Sequence, residues 1–499
     1  MSRRKKSKKQ PAAESPPQGE TLRTNKQNLL ALVNWFLPNQ EIFAKLKFHG
    51  NTSWRPTSLV WLAICWSWST SPTLTDAFAE ALEYSQMLTT GTLLSTYQGF
   101  MAAMVTWSDT FINLLFWRLQ VCMAEIGGRF WEIDGWVPIA FDGSRSTAPR
   151  TKKNEKAFCA PNYGKGTTAR FRKKKTQGLR RQKNQKSKPA PPEPQAWITL
   201  LWHMGLRLPW RWMLGPSNSS ERTHVLRMLH AGGFPPNTLF CGDAGFVGYP
   251  LWSQILGTGA HFLVRVGANV SLLAESTNFT RLSRQKDGLV LCWPKTMSAA
   301  NQPPLSLRLV KGRIGKKTTV WMLTSVLNSE DLTAKQMLKF YEMRWGIELE
   351  FRGLKQTLDR AKLRSRNDQR LLAELNWSMM ALAIAELFAL KNQLAPAPRP
   401  QKPNQNPPQV DIPAKRSLAN TLRALRWCLS HLHQTPTAKR NLLAQLRLAV
   451  TDDYQRKSRK RARYRPKNPD KKKLGGPKLR KLTADEKIKL GQLIEKRAA

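Results

Sequence analysis

The chain has 499 residues, and its 81 Lys+Arg against 33 Asp+Glu give a formal net charge of +48. Such an excess excludes an ordinary soluble enzyme acting on small molecules and points to a polyanionic partner, because neutralising phosphates releases counterions. Six scattered cysteines without a CxxC pair, and seven scattered histidines, exclude a disulfide framework and a zinc ribbon.

Residues 1–27 begin MSRRKKSKKQ and then turn Pro/Gln/Glu-rich, so they are expected to be a disordered basic tail and not a signal peptide. Residues 28–130 carry helical periodicity with many aromatics, among them Trp35, Trp54, Trp61, Trp66, Trp68, Trp107 and Trp117. They read as a helical N-terminal DNA-binding domain. The rings serve either as a Trp-rich core or as a base-stacking surface. The apolar run Leu59–Trp68 is too short to span a bilayer and reads as a buried helix.

A catalytic domain is expected over 131–392. Its first strand, WVPIAF, ends at Asp142-Gly143-Ser144. A basic, low-complexity insertion follows at 150–195. Strands are predicted at 196–204 and 206–214, and a helix at Glu221–His230. The strand 237–243 ends at Asp243, a helix lies near Pro250–Leu256, and HFLVRV (261–266) is again a strand. Short alternating segments over 268–328 predict a β-rich insertion. Residues 393–415 are a Pro/Asn/Gln linker, 416–450 are helical and 451–499 form a basic tail. The overall class is α/β, a mixed sheet flanked by helices.

One predicted helix, Tyr341–Leu358, carries Tyr341, Arg344, Glu348 and Lys355. At about 3.6 residues per turn these fall within roughly 60° of one another. The stripe suits a divalent ion beside a phosphate. It also fits a solvated face of (i, i+4) ion pairs. Glu350 lies about half a turn away from Glu348 and belongs to another face. Asp142 and Asp243 each end a predicted strand, where ligands bind in sheets of this kind, although either is also an ordinary turn residue. Three carboxylates converging there would repel unless cations sit among them. Hard oxygen ligands favour Mg²⁺, with two such ions able to assist a phosphodiester displacement.

These residues resemble the DDE transposases of bacterial insertion sequences, in the group marked by Y-x2-R-x3-E-x6-K (insertion sequence family four). Tyr341, Arg344, Glu348 and Lys355 match that signature without a gap, and FDGS (141–144) and GDAGF (242–246) resemble the two aspartate motifs. The resemblance implies an RNase H-like core with a β-rich insertion. It implies cut-and-paste transposition by metal-dependent hydrolysis and 3′-hydroxyl strand transfer. Asp142, Asp243 and Glu348 would be the catalytic metal ligands, for Mg²⁺ with Mn²⁺ as a substitute. Tyr341, Arg344 and Lys355 would grip the DNA backbone. Trp321, with Trp293 as its competitor, would stack on a flipped base, unless both are core residues. The implied partners are the element's terminal inverted repeats and target DNA, met as a homodimer, in the bacterial cytoplasm at the nucleoid and without a membrane.

Two rivals belong to other classes. A tyrosine recombinase would need histidines around Tyr341, and none accompanies it. A non-catalytic DNA-binding protein derived from a transposase would keep the charge without the chemistry.

Overall fold

The structure is a computed structural model. It describes residues 24–38, 40–50, 52–89, 94–159, 193–217, 219–274, 287–314, 318–395, 416–432, 437, 440–450 and 475–498. Most of the expected N-terminal tail, the centre of the 150–195 insertion and nearly all of the 393–415 linker lie outside the described residues.

The first helix, α1 (Asn25–Phe36), starts inside the expected tail because Thr24 and Gln27 form a reciprocal capping box. It is followed by α2 (Pro56–Trp68), α3 (Leu74–Leu88) and α4 (Tyr97–Gly127). Trp61, Trp66 and Trp68 are buried, and the Trp68 indole donates to the Ala381 carbonyl 2.9 Å away. These three rings are therefore core, not a base-stacking surface. The helices do not form a separate body, since their apolar residues share one continuous core with the rest of the chain.

The strand β1 (Val137–Thr147) is longer than its apolar run suggests. It pairs antiparallel with β2 (Gln195–His203) as far as Thr147↔Gln195, and β2 pairs antiparallel with β3 (Leu208–Gly215). On its other edge β1 runs parallel to β4 (Thr238–Gly242), but only from Val137↔Thr238 to Ala140↔Cys241. β5 (His261–Val266) is parallel to β4. Asp142 thus lies within a strand and not at its end. The partner β4 stops, and β1 continues on its hairpin with β2. The local order β3-β2-β1-β4-β5 is consistent with an RNase H-like core.

The predicted insertion extends this same sheet. It contains β6 (Ser271–Ala274), β7 (Asp287–Cys292), β8 (Leu305–Ile314) and β9 (Thr318–Thr324), and β9 pairs antiparallel with β5. The C-terminal region, read as a basic tail, supplies β10 (Lys478–Lys481), which pairs parallel with β6. Its apolar residues explain the difference: Leu482, Leu490 and Leu493 pack with Leu273, Leu291 and Trp293 in a small second core. Among the described residues the sheet has ten strands.

Helices cover both faces. α5 (Lys152–Phe158), α6 (Glu221–His230) and α7 (Tyr249–Gly257) precede the insertion, and α8 (Lys295–Ala299) lies within it. The expected continuous helix over 341–358 is three segments: α9 (Ala334–Arg344), α10 (Ile347–Arg352) and a π-helical turn, Gly353–Thr357. At the first junction the backbone tightens, with Trp345 N–H bonded to Glu342 O and Gly346 N–H to Met343 O. At the second it widens, with Leu358 N–H reaching Gly353 O. Below them runs α11 (Asp368–Leu394). It is apolar and long enough to cross a membrane by composition, yet every residue from Trp377 to Leu390 is buried within this protein. It packs on α2, α4 and β3, and so joins the helical layer to the sheet. α12 (Leu418–Ser430) and α13 (Leu442–Arg447) add to that layer, and α14 (Ala484–Ala498) ends the described chain.

Gly346 fixes where α10 sits. A Cβ there would fall 2.2 Å from Cη2 of Trp202, whose indole donates to Glu350 Oε1 at 2.7 Å. That hydrogen bond pins the ring against α10 and leaves it no easy retreat. Gly346→Ala is expected to lower stability by about 1–3 kcal/mol, the usual range for overpacking. A urea midpoint equal to that of the unaltered chain would contradict this packing.

Candidate active site

The site begins with the parallel register of β1 and β4. Continuing the register Ala140↔Cys241 by two residues leads from Asp142 to Asp243, just past the end of β4, and the two charges act on each other. Asp142 accepts from the Gly143 N–H at 2.8 Å, and Asp243 accepts from the Gly245 N–H at 2.7 Å, so each carboxylate is tied to its own backbone. Burial pushes the Asp142 carboxyl above its usual range. The charge of Asp243 adds to that rise, while the Gly143 N–H and Arg344 oppose it.

Alternate residues of a strand face opposite sides of the sheet. From the Asp142 side comes Arg344, at the end of α9, whose Nη1 lies 3.2 Å from Asp142 Oδ2. Arg344 is 3 % exposed, and its Nε has no hydrogen-bond partner. Lys355, on the π-helical turn, donates to Ser144 Oγ at 2.7 Å. Two signature cations therefore grip β1 itself. Tyr341 is buried, and Arg265 donates to its hydroxyl at 3.4 Å. Glu348 is exposed. It shares a hollow of about 380 Å³ with Asp142, Ser144, Arg352 and Lys355.

The structure thus brings Asp142 beside Asp243 and sets Glu348 across a hollow from Asp142. It does not gather the expected three. Among the described residues, no group of three or more Asp, Glu, His or Cys side chains is close enough to hold a metal ion. Two neighbouring half-buried carboxylates suit a hard cation, and Arg344 already balances one of them. The residues present fit a divalent ion in part, with the third ligand out of place.

Trp321 lies on β9, half-buried, opposite Val266 and Lys311. The C-terminal segment covers it: a Cβ on Gly476 would fall 2.5 Å from the indole Nε1. Trp293 is buried and donates to the Gln302 carbonyl at 2.8 Å. Trp293 is enclosed, and Trp321 is partly covered.

The sequence reading missed Glu221. It opens α6 after Ser220 and looks like an ordinary acidic first-turn residue. Its side chain lies over Gly143, where a Cβ would fall 2.2 Å from Glu221 Oε1. Gly143 faces away from Asp142, so Glu221 approaches the aspartates from the side opposite Arg344. Burial, followed by the charges of Asp142 and Asp243, pushes its carboxyl up to about 6. Only the missing side chain at 143 admits it, a signal that a glycine beside an aspartate does not announce in a sequence.

This sets the sign of a pH effect. The folded state holds the Glu221 proton more tightly than the unfolded chain, so its contribution is favourable below about 4.5 and is lost as pH rises through about 6. Glu221→Gln should raise the melting temperature at pH 8 and lose that gain towards pH 4.5. A difference independent of pH would refute the crowding.

Residues 139–384 match the family model described as "Transposase DDE domain". A protein of Sinorhizobium fredii named "Putative transposase y4zB" is 26 % identical over 156 residues, covering 30 % of this chain and 43 % of that protein. The chain therefore spans less than half the length of that relative. The solved piggyBac transposase synaptic complex with hairpin DNA aligns over 86 % of this chain and 84 % of its own, at 12 % identity and a TM-score of 0.35. The two sequence matches support a DDE transposase.

Proposed function

We propose that this protein cuts and joins DNA at the ends of an insertion sequence. The chemistry is metal-dependent phosphodiester hydrolysis followed by attack of the freed 3′-hydroxyl on target DNA. The observation that carries the reading is the pair Asp142 and Asp243, set side by side within the matched domain. The net charge of +48 supplies the attraction to DNA.

Asp142, Asp243 and Glu348 are the catalytic residues and cation ligands of this reading, with Mg²⁺ the favoured ion and Mn²⁺ a substitute. When bound, such an ion stabilises negative charge on the reacting oxygens of the phosphodiester. Glu348, on the free outer face of α10, joins the pair by swinging its side chain across the hollow. Arg344 holds Asp142 in place until then and afterwards turns its guanidinium to phosphate, a role for which its planar fork is suited. Lys355 sits beside Ser144 for the same purpose, and Tyr341 braces α9. Trp321 acts as a stacking residue once Gly476 withdraws. Double-stranded terminal repeats and target DNA are the partners, engaged by a homodimer in the bacterial cytoplasm.

The second reading, a DNA-binding protein without catalysis, draws on the same fact that leaves the triad ungathered. One assay separates the two. With Mg²⁺ and a duplex carrying the inverted repeats that flank the gene, the full chain should nick one strand. Asp142→Asn, Asp243→Asn and Glu348→Gln should each lower the nicking rate by at least about 100-fold, with duplex affinity within about threefold. Wild-type binding without nicking would favour the non-catalytic protein.

A further inference from the structure

We infer that the seam between β1 and residues 352–363 is a track for one DNA strand, leading from Asp142 outward to Arg150. The inference rests on the function proposed above and adds the surface that receives the strand.

Past Ala140 the edge of β1 has lost its partner β4, and what faces it is the chain following Glu348. Lys355 meets Ser144. Farther along, Thr147 N–H bonds to Ala361 O at 2.9 Å and Leu363 N–H to Thr147 O at 2.8 Å. Between and beyond these fastenings lie two hollows. One is the hollow of about 380 Å³ holding Asp142 and Glu348. The other, about 210 Å³, is bounded by Thr147, Arg150, Glu193 and Lys362. Both open on the same seam.

Cations line both hollows. Arg150, Arg352 and Lys362 are exposed, and Lys355 is half-buried. The acids lining the hollows are Asp142 and Glu348 in one and Glu193 in the other, with Asp359 exposed on the segment between them. A polyanion can follow the cations but meets carboxylates where it is to be cut, which is the arrangement a cation-assisted phosphodiester reaction requires. From Asp142 to Thr147 the strand rises about 17 Å. That length admits a few successive phosphates of one DNA strand. The partner is therefore a short stretch of a single DNA strand beside the cut.

The test uses the full-length chain and a random-sequence DNA duplex, with affinity measured across a salt series. Arg352→Glu with Lys362→Glu is compared with Arg227→Glu with Lys335→Glu. The second pair is also exposed, lies at the ends of α6 and α9 remote from Glu221 and Arg344, and makes the same change in charge. Melting temperatures confirm that both variants fold. The seam pair should flatten the plot of log affinity against log salt by about two units, one for each lost phosphate contact, and the control pair by less than about half a unit. Equal effects from the two pairs would overturn the track, since general charge would then suffice. The nicking assay keeps the two ideas apart. If the wild type nicks and the seam pair binds as the control does, the track fails and the enzyme stands. If the wild type does not nick, the catalytic reading fails whatever the slopes show.

Discussion

The centre of this molecule depends on two carboxylates that the backbone holds together. The pairing of β1 with β4 brings Asp142 and Asp243 near each other just past its last partners, and each is further tied to a neighbouring N–H. Like charges at that spacing repel, and partial burial raises the cost. The surroundings answer from both faces of the sheet. Arg344 supplies a positive charge from one side. Glu221 arrives from the other and adds to the repulsion, with its own carboxyl pushed up to about 6. Crowding acids in this way weakens a fold. It is reasonable design for a site completed by a cation.

The signature residues work first as fasteners. Tyr341 is buried under the sheet, Arg344 holds Asp142 and Lys355 holds Ser144. An ideal helix over this span could not follow β1 so closely. The chain tightens at Gly346, where Trp202 leaves no room for a side chain, and loosens in the turn Gly353–Thr357. Behind it, Glu350 and Glu386 are buried with Arg416. The Glu350 carboxyl is driven well up by burial and by Glu386, while Trp202 Nε1 gives it a donor. The exposed Glu348 and the buried Glu350 are thus separated by a short helix anchored on its inner face. Only the outer face is free to answer a ligand.

Much of this was legible because strands carry strong local signals. HFLVRV is β5 to the residue, and NTLFCGD ends beside Asp243 as its apolar run suggests. The split between Glu348 and Glu350 followed from helical spacing alone. What the sequence hid is tertiary. Asp142 looked like a strand end because Gly143 and Ser144 are turn residues, yet pairing with β2 carries the strand on to Thr147. Gly143 is small to admit Glu221 from an element nearly eighty residues away along the chain, and local pattern cannot report that. The composition of 451–499 concealed a strand and a helix, because a few leucines among many cations suffice once another surface is there to receive them.

That C-terminal addition bears on Trp321. An uncovered edge strand exposes unpaired backbone groups and invites association. β10 occupies the edge at β6, and α14 lays its leucines against Leu273 and Trp293. Arg480 and Glu486 tie strand to helix with two charge-assisted hydrogen bonds, so the two move as one piece. The same piece sets Gly476 against Trp321. Covering the edge and covering the indole are one structural event. A stacking role for Trp321 therefore requires that the protein surrender part of its sheet, and a chain lacking residues 475–499 would expose the ring and the edge together.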